Sequence, residues 1–300
     1  MKVVITGAAG FIGQYTVLEL HARGHKMALF SRDRKKLDSA FYSNQIPFDL
    51  VETDYRSGLE RTLKGADALV HLASLRHHAD RPMVDYITEN MALTDRLLEA
   101  AVRNGIRNIV FASSHLVYNP EINTLPFTEN QNCYPTTPYG ISKLACEKIA
   151  FYYDSKHGTK TRCLRIGQVI GAEDQDGNIV SMFLRQAQWK QTLTVWGKGL
   201  GARDYVYVKD VAKAIAQALE QGDLSGPFNI SCGEPIPHLR LAEAVNRAFG
   251  NKGNLKMAPE KKEDMVPFFM SPVKAERELG WKYKWDLHSM LADLAGDMGR

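Results

Sequence analysis

Tyr139 and Lys143 stand four residues apart, so on a helix both side chains project from one face. Free tyrosine, with a pKa of about 10, moves protons poorly near neutrality. An ammonium beside it, joined by an oxidised nicotinamide when one is bound, favours the phenolate. Ser114 ends an apolar run upstream and can hydrogen-bond the same substrate oxygen, fixing its position. Such a trio suits proton transfer at a carbonyl or carbinol. The spacing by itself also fits a tyrosine packed beside a surface lysine, because Tyr-x-x-x-Lys is common by chance.

A hydride carrier would be held at the other end of the sequence. Thr6-Gly-Ala-Ala-Gly-Phe-Ile-Gly13 falls between an apolar run and an amphipathic stretch. Gly7 suits a tight turn, Gly10 lets backbone approach a pyrophosphate, and Gly13 lets helix pack close to sheet. The N–H groups after it, at Phe11 and Ile12, open a helix whose positive end favours phosphate. At the end of the second strand, where an NAD site has an acid for the ribose 2′-hydroxyl, this chain has Ser31-Arg32. A guanidinium suits a 2′-phosphate, and Arg34 and Lys35 add charge, so NADP is favoured. NAD, met by Asp33, is the alternative. Asp54, beside Tyr55 at the end of the third strand, is a candidate for the adenine amino group or a plain loop aspartate.

The elements that must position these groups read as alternating strands and helices. Val3–Ile5, Met27–Phe30, Asp49–Val51, Ala68–Leu72 and Ile109–Ala112 are short apolar runs of buried-strand type, and a further strand is expected over Thr161–Ile166. Helices are expected over Phe11–Arg23, closed by Gly24, and over Met83–Asn104, closed by Gly105. A third starts at Pro138, capped by Thr136 or Thr137. The alternation predicts an α/β fold, a Rossmann-type doubly wound parallel sheet with a smaller C-terminal substrate lobe. The dinucleotide-binding domain is expected over residues 1–166, with 205–229 returning to it, and the smaller lobe over 167–204 and 230–300.

Composition bounds the partners. Of 300 residues, 44% are hydrophobic and 24% charged, as in ordinary globular proteins, and the net charge of +4 is spread along the chain. Nucleic acid is not expected. No apolar stretch approaches membrane-spanning length, and Met1-Lys2 runs straight into an apolar strand without a signal peptide, so a cytoplasmic protein is expected. Cys133, Cys146, Cys163 and Cys232 are scattered without metal-ligand spacing, reading as reduced core fillers. His77-His78, flanked by Arg76 and Arg81, is weak evidence for zinc. It reads as a basic loop beside the substrate pocket or as a solvated one; no metal is expected. Trp196, before Gly197-Lys198-Gly199, could stack on a nucleobase or fill the small lobe.

The segments TGAAGFIG (Thr6–Gly13), HLAS (His71–Ser74), SSHLVY (Ser113–Tyr118), PYGISK (Pro138–Lys143), LRIGQVIG (Leu164–Gly171) and RDYVYVKDVA (Arg203–Ala212) resemble the extended short-chain dehydrogenase/reductases. More narrowly they are similar to the NAD(P)-dependent epimerase/dehydratase group that acts on nucleotide sugars. FNISCGE (Phe228–Glu234) and SPVKAERELGW (Ser271–Trp281) extend the likeness over nearly the whole chain. The resemblance implies Tyr139 as acid/base, Lys143 as holder of the nicotinamide ribose, and Ser114 on the reacting oxygen. It implies Leu72, Ala73 and Ser74 along the cofactor, Asn90 supporting the active-site helix at the cofactor side, and Asn178 and Arg203 on the substrate diphosphate. Gln168 replaces the family's more frequent asparagine. His115 and Leu116 stand where sugar dehydratases carry an acidic pair, which argues against dehydration; His115 itself suits strand-end packing or proton shuttling.

These readings lead to an NADP(H)-dependent reductase of a keto group on a nucleotide-activated sugar. The alternative is an NAD-dependent nucleotide-sugar 4-epimerase of the UDP-glucose or UDP-N-acetylglucosamine type. A third class, a non-catalytic NADPH-binding regulatory protein, is disfavoured by the intact trio. A homodimer is expected through the helices Met83–Asn104 and Tyr139–His157.

Overall fold

A computed structural model describes residues 1–31, 34–41, 46–52, 58–78, 80–172 and 178–298. Strands β1 (Lys2–Thr6), β2 (Lys26–Ser31), β3 (Asp49–Glu52), β4 (Ala68–His71), β5 (Asn108–Ser114), β6 (Lys160–Ile166) and β10 (Gly226–Ile230) form one sheet in the order β3-β2-β1-β4-β5-β6-β10. Every pairing in it is parallel. The order reverses between β1 and β4, which is where a doubly wound sheet opens its ligand crevice. The central strands are buried on both faces, as the unbroken apolar runs require.

Helices α1 (Phe11–Ala22) and α8 (Val208–Glu220) pack together over one face. The helices α3 (Leu59–Leu63), α5 (Ala92–Arg103) and α6 (Pro138–His157) cover the other. Helix α2 (Arg34–Phe41) links β2 to β3. The expected ends are met physically: Gly24 and Gly105 have φ of 75° and 73°, and Thr137 caps α6 by accepting from Gly140 N at 3.1 Å.

The expected helix from Met83 to Asn104 runs to Arg103 with Asn104 as its C-cap, and it is widened between α4 (Met83–Tyr86) and α5 into a π turn (Ile87–Met91). Such widened turns recur at functional sites, and this one carries the buried Asn90.

A second core lies under a three-stranded sheet, β11-β9-β7, and a two-stranded one, β12-β8. Its strands are β7 (Gln168–Ile170), β8 (Leu193–Trp196), β9 (Ala202–Tyr207), β11 (Pro235–Pro237) and β12 (Leu255–Ala258); its helices are α7 (Ile179–Gln188), α9 (His238–Ala248) and α10 (Leu287–Met298). Strand β9 crosses the boundary expected between residues 204 and 205, so the smaller sheet extends to Tyr207 before α8 begins.

Candidate active site

Gly7 has φ of 73°, and a Cβ there would sit 2.7 Å from Ala73 N, so the turn can touch the end of β4 only as glycine. Gly10 N donates to Gly7 O at 2.9 Å, closing the turn. A Cβ on Gly13 would lie 2.1 Å from Gly7 O, so the first helical turn can press on the loop only without a side chain. No side chain caps α1, and its first turn carries no acid. The N–H groups of Phe11 and Ile12 are therefore available to an anion, and the cradle fits a dinucleotide pyrophosphate. Leu72 N donates to Thr6 O and Ala73 N to Thr6 Oγ1, both at 3.2 Å, holding Leu72–Ser74 alongside the turn. Ser31 ends β2 and is buried; Arg32, Asp33, Asp54 and Tyr55 lie outside the described residues.

Ser114 closes β5, and its Oγ accepts from Leu116 N at 3.1 Å as the chain enters a short 3₁₀ turn, His115–Val117. Helix α6 meets that turn at Gly140, where a Cβ would fall 2.3 Å from Leu116 O. The glycine thus lets the residue before it, Tyr139, come up beside the Ser114 strand end. Lys143, one turn on, is buried and donates from Nζ to Ala112 O at 2.8 Å. The same ammonium lies 5.6 Å from the centre of the Tyr139 ring. Burial lowers the Lys143 pKa to about 8. The structure therefore brings Ser114, Tyr139 and Lys143 to one place at the carboxyl end of the sheet.

The tyrosine is flanked by His77 and Tyr86, whose rings lie 6.3 and 6.2 Å from its own. Tyr86 OH donates to Arg76 O and accepts from His78 N, so the basic loop is pinned beside the trio. Asn90 accepts from Leu75 N at 2.7 Å and donates to Ser142 Oγ at 3.1 Å, and Ser142 Oγ donates to Tyr139 O. Asn90 thereby joins the loop after β4 to the first turn of α6. Among the described residues no group of acids, histidines and cysteines is arranged to hold a metal.

Beneath the trio is a buried polar network that the sequence reading did not assign. Glu147, one turn beyond Lys143, pairs with Arg165 through Oε2–Nη2 at 2.8 Å and Oε1–Nε at 3.0 Å. Ser113 Oγ donates to Glu147 Oε1, and Arg165 Nη1 donates to Tyr118 OH. Two arginines interleaved with Cys163, Leu164 and Ile166 in the strand Lys160–Ile166 were the available signal. Gly140 sits inside a quoted motif, yet its steric role appears only once Leu116 is beside it.

On the small-lobe side, a cleft is lined by His115, Gly167, Gln168, Arg203, Asp204, Phe268 and Met270. Arg203 donates to Ala202 O and Val266 O and pairs with Asp264. Asp204 accepts from the N–H groups of Cys232, Gly233 and Met270. Burial raises its pKa to about 6, against the pull of those donors. Gln168 and Arg203 share the cleft. Asn178 caps α7 by accepting from Ser181 N at 2.9 Å, and Trp196 is exposed on β8; neither lines the cleft.

The sequence profile of the NAD dependent epimerase/dehydratase family matches residues 3–231. A UDP-glucose 4-epimerase from Lacticaseibacillus casei is 32% identical over 95% of this chain and 93% of its own length. The structure of a UDP-N-acetylglucosamine 4-epimerase from Bacillus cereus superposes with a TM-score of 0.88 at 30% identity, covering 99% of each chain. A UDP-glucose-4-epimerase from Stenotrophomonas maltophila, solved with bound NAD and formylated UDP-arabinopyranose, gives 0.88 at 25% identity over 100% of this chain and 99% of its own. With the glycine cradle, the doubly wound sheet and the Ser–Tyr–Lys trio in one frame, the chain belongs to the NAD dependent epimerase/dehydratase family.

Proposed function

We propose that the chain is a nucleotide-sugar 4-epimerase acting on a UDP-hexose with NAD(P) bound at the glycine turn. One observation carries the reading: the Lys143 ammonium is held between Ala112 O and the Tyr139 ring, at the end of the strand that bears Ser114. In this role Ser114 hydrogen-bonds the C4 oxygen, and Tyr139 takes the hydroxyl proton, the neighbouring charge favouring its phenolate. Once the sugar presents its other face, Tyr139 returns the proton. Lys143 would also hold the nicotinamide ribose, and Gln168 and Arg203 hold the substrate near its diphosphate. The dinucleotide held at the glycine turn would supply reversible hydride chemistry at C4.

The keto-sugar reductase expected first has no support from the similar proteins, which bear 4-epimerase names, and we replace it by the epimerase alternative. A non-catalytic regulatory role is set aside, because those relatives are enzymes and the trio is intact. For the cofactor, the buried Ser31 at the end of β2 is not the acid that a ribose 2′-hydroxyl prefers, which supports NADP beside the NAD of the Stenotrophomonas protein. A homodimer is proposed through α4 with its π turn and α6, where Val84, Ile87, Ile141 and Tyr152 are exposed; a monomer in sedimentation velocity would remove it. No helix among the described residues is long and apolar enough to cross a membrane.

Incubation with UDP-glucose and either dinucleotide should yield UDP-galactose by NMR without accumulation of reduced cofactor. Tyr139→Phe should lower kcat by roughly 10²–10⁴-fold and leave dinucleotide binding intact. Stoichiometric NADPH consumption with a UDP-4-keto-hexose, and no isomerisation, would restore the reductase reading.

A further inference from the structure

His115 follows Ser114 directly and lines the cleft with Gln168, Arg203 and Phe268. Its Nδ1 lies 3.0 Å from Ile166 O. A carbonyl oxygen only accepts, so Nδ1 must carry the hydrogen, and in the neutral ring Nε2 then holds a bare lone pair. Nε2 has no hydrogen-bond partner among the described residues. The ring is fixed on two sides, by Ile166 behind and by the Phe268 ring 5.0 Å away at 76°. Burial, with Arg203 and His77 adding to it, lowers the pKa to about 4, so the imidazole is neutral at ordinary pH.

We infer that His115 is a specificity-determining residue whose Nε2 accepts a hydrogen bond from a hydroxyl of the sugar ring, selecting neutral hexoses over uronic acids. This rests on the proposed action on UDP-sugars. A carboxylate offers no hydrogen to a bare nitrogen and would meet it lone pair to lone pair. The guanidinium that shares the cleft does not reverse that preference, because Arg203 already serves two carbonyls and Asp264. A fixed acceptor discriminates by being left unpaired when the hydroxyl is missing.

The test compares UDP-glucose, its 2-, 3- and 6-deoxy analogues and UDP-glucuronic acid on the wild type and on His115→Phe, which keeps a ring and loses the acceptor. For the wild type, kcat/KM should fall roughly tenfold on one deoxy analogue and further on the uronate. In His115→Phe the penalty for that analogue should vanish while dinucleotide affinity stays unchanged, and Tm should fall because Ile166 O loses its donor. Calorimetric affinities of the same ligands for Tyr139→Phe, with and without His115→Phe, read the selection without turnover. Absent epimerisation with selective binding retained would remove the proposed reaction and keep this inference. Uniform losses across all five ligands, or a wild type that prefers the uronate, would overturn it.

Discussion

The floor of the site and its small-lobe wall are built from different materials. Under the trio, Glu147 and Arg165 are paired at 0% and 5% side-chain exposure, tied to Ser113 and Tyr118, and carried on a central strand and a long helix. Along the wall, Arg203 pairs with an Asp264 that is 62% exposed, on an irregular segment. The floor must hold reacting atoms to within fractions of an ångström, and rigid elements with fully satisfied polar groups do that best. In the proposed reaction the wall meets the substituents of a sugar, and loops can vary there without disturbing the sheet.

The largest effect that would test this contrast comes from cutting the floor. Glu147→Ala leaves the Arg165 guanidinium buried without its carboxylate, a change that costs about 3–5 kcal/mol when a buried pair loses one member. Chemical denaturation should show a fall in unfolding free energy of that size, and a loss under 1 kcal/mol would mean that the network is better hydrated than its burial implies. Gly140→Ala is next. Its Cβ would need the space of Leu116 O, so α6 must retreat from the 3₁₀ turn after Ser114. A displacement of about 1 Å costs on the order of 10²-fold in rate, so kcat should fall that far while dinucleotide binding at the glycine turn persists. Equal loss of both would show that the helix positions the whole cofactor pocket, not the tyrosine alone.

A subtler probe of the floor is pH. The Lys143 charge is lost as pH rises through about 8, well below its ordinary 10.5. If the ammonium supports Tyr139, kcat/KM should decline above about pH 8, and in whatever activity Lys143→Arg retains that limb should move out of range, since guanidinium stays charged. Stability moves the other way. Between about 8 and 10.5 the unfolded chain holds more protons at this position than the folded one, so this group makes folding more favourable as pH rises. A limb that stays put in Lys143→Arg would assign it to another residue.

The sheet and the trio were legible because each depends on local pattern: β1, β2 and β5 carry continuous apolar runs, and Tyr139 and Lys143 are one turn apart on a helix with a Thr137-Pro138 start. Contacts between distant segments were not. The steric demand at Gly140 involves Leu116, the pinning of the His77 loop involves Tyr86, and the partner of Arg165 is eighteen residues away. Asn90 was placed by resemblance, but the π turn that carries it has no periodic signature in the sequence. Trp196 and Asn178 have residue types suited to ligand contact; the fold leaves the first exposed on β8 and sets the second at the N-cap of α7.

The smallest expected effect comes from the wall. Asp264→Ala removes the exposed partner of Arg203, and exposed ion pairs contribute about 0–1 kcal/mol, so Tm should hardly move. The guanidinium keeps its bonds to Ala202 O and Val266 O and stays in the cleft with one fork released. An anion near Gln168 would then gain a donor that Asp264 had held. UDP should bind the variant more tightly, by a factor of a few, and the gain should shrink with added salt because the charges are near solvent. If Asp264→Ala instead destabilises the fold as much as Glu147→Ala, the wall is as rigidly determined as the floor and the two regions do not differ in the way proposed.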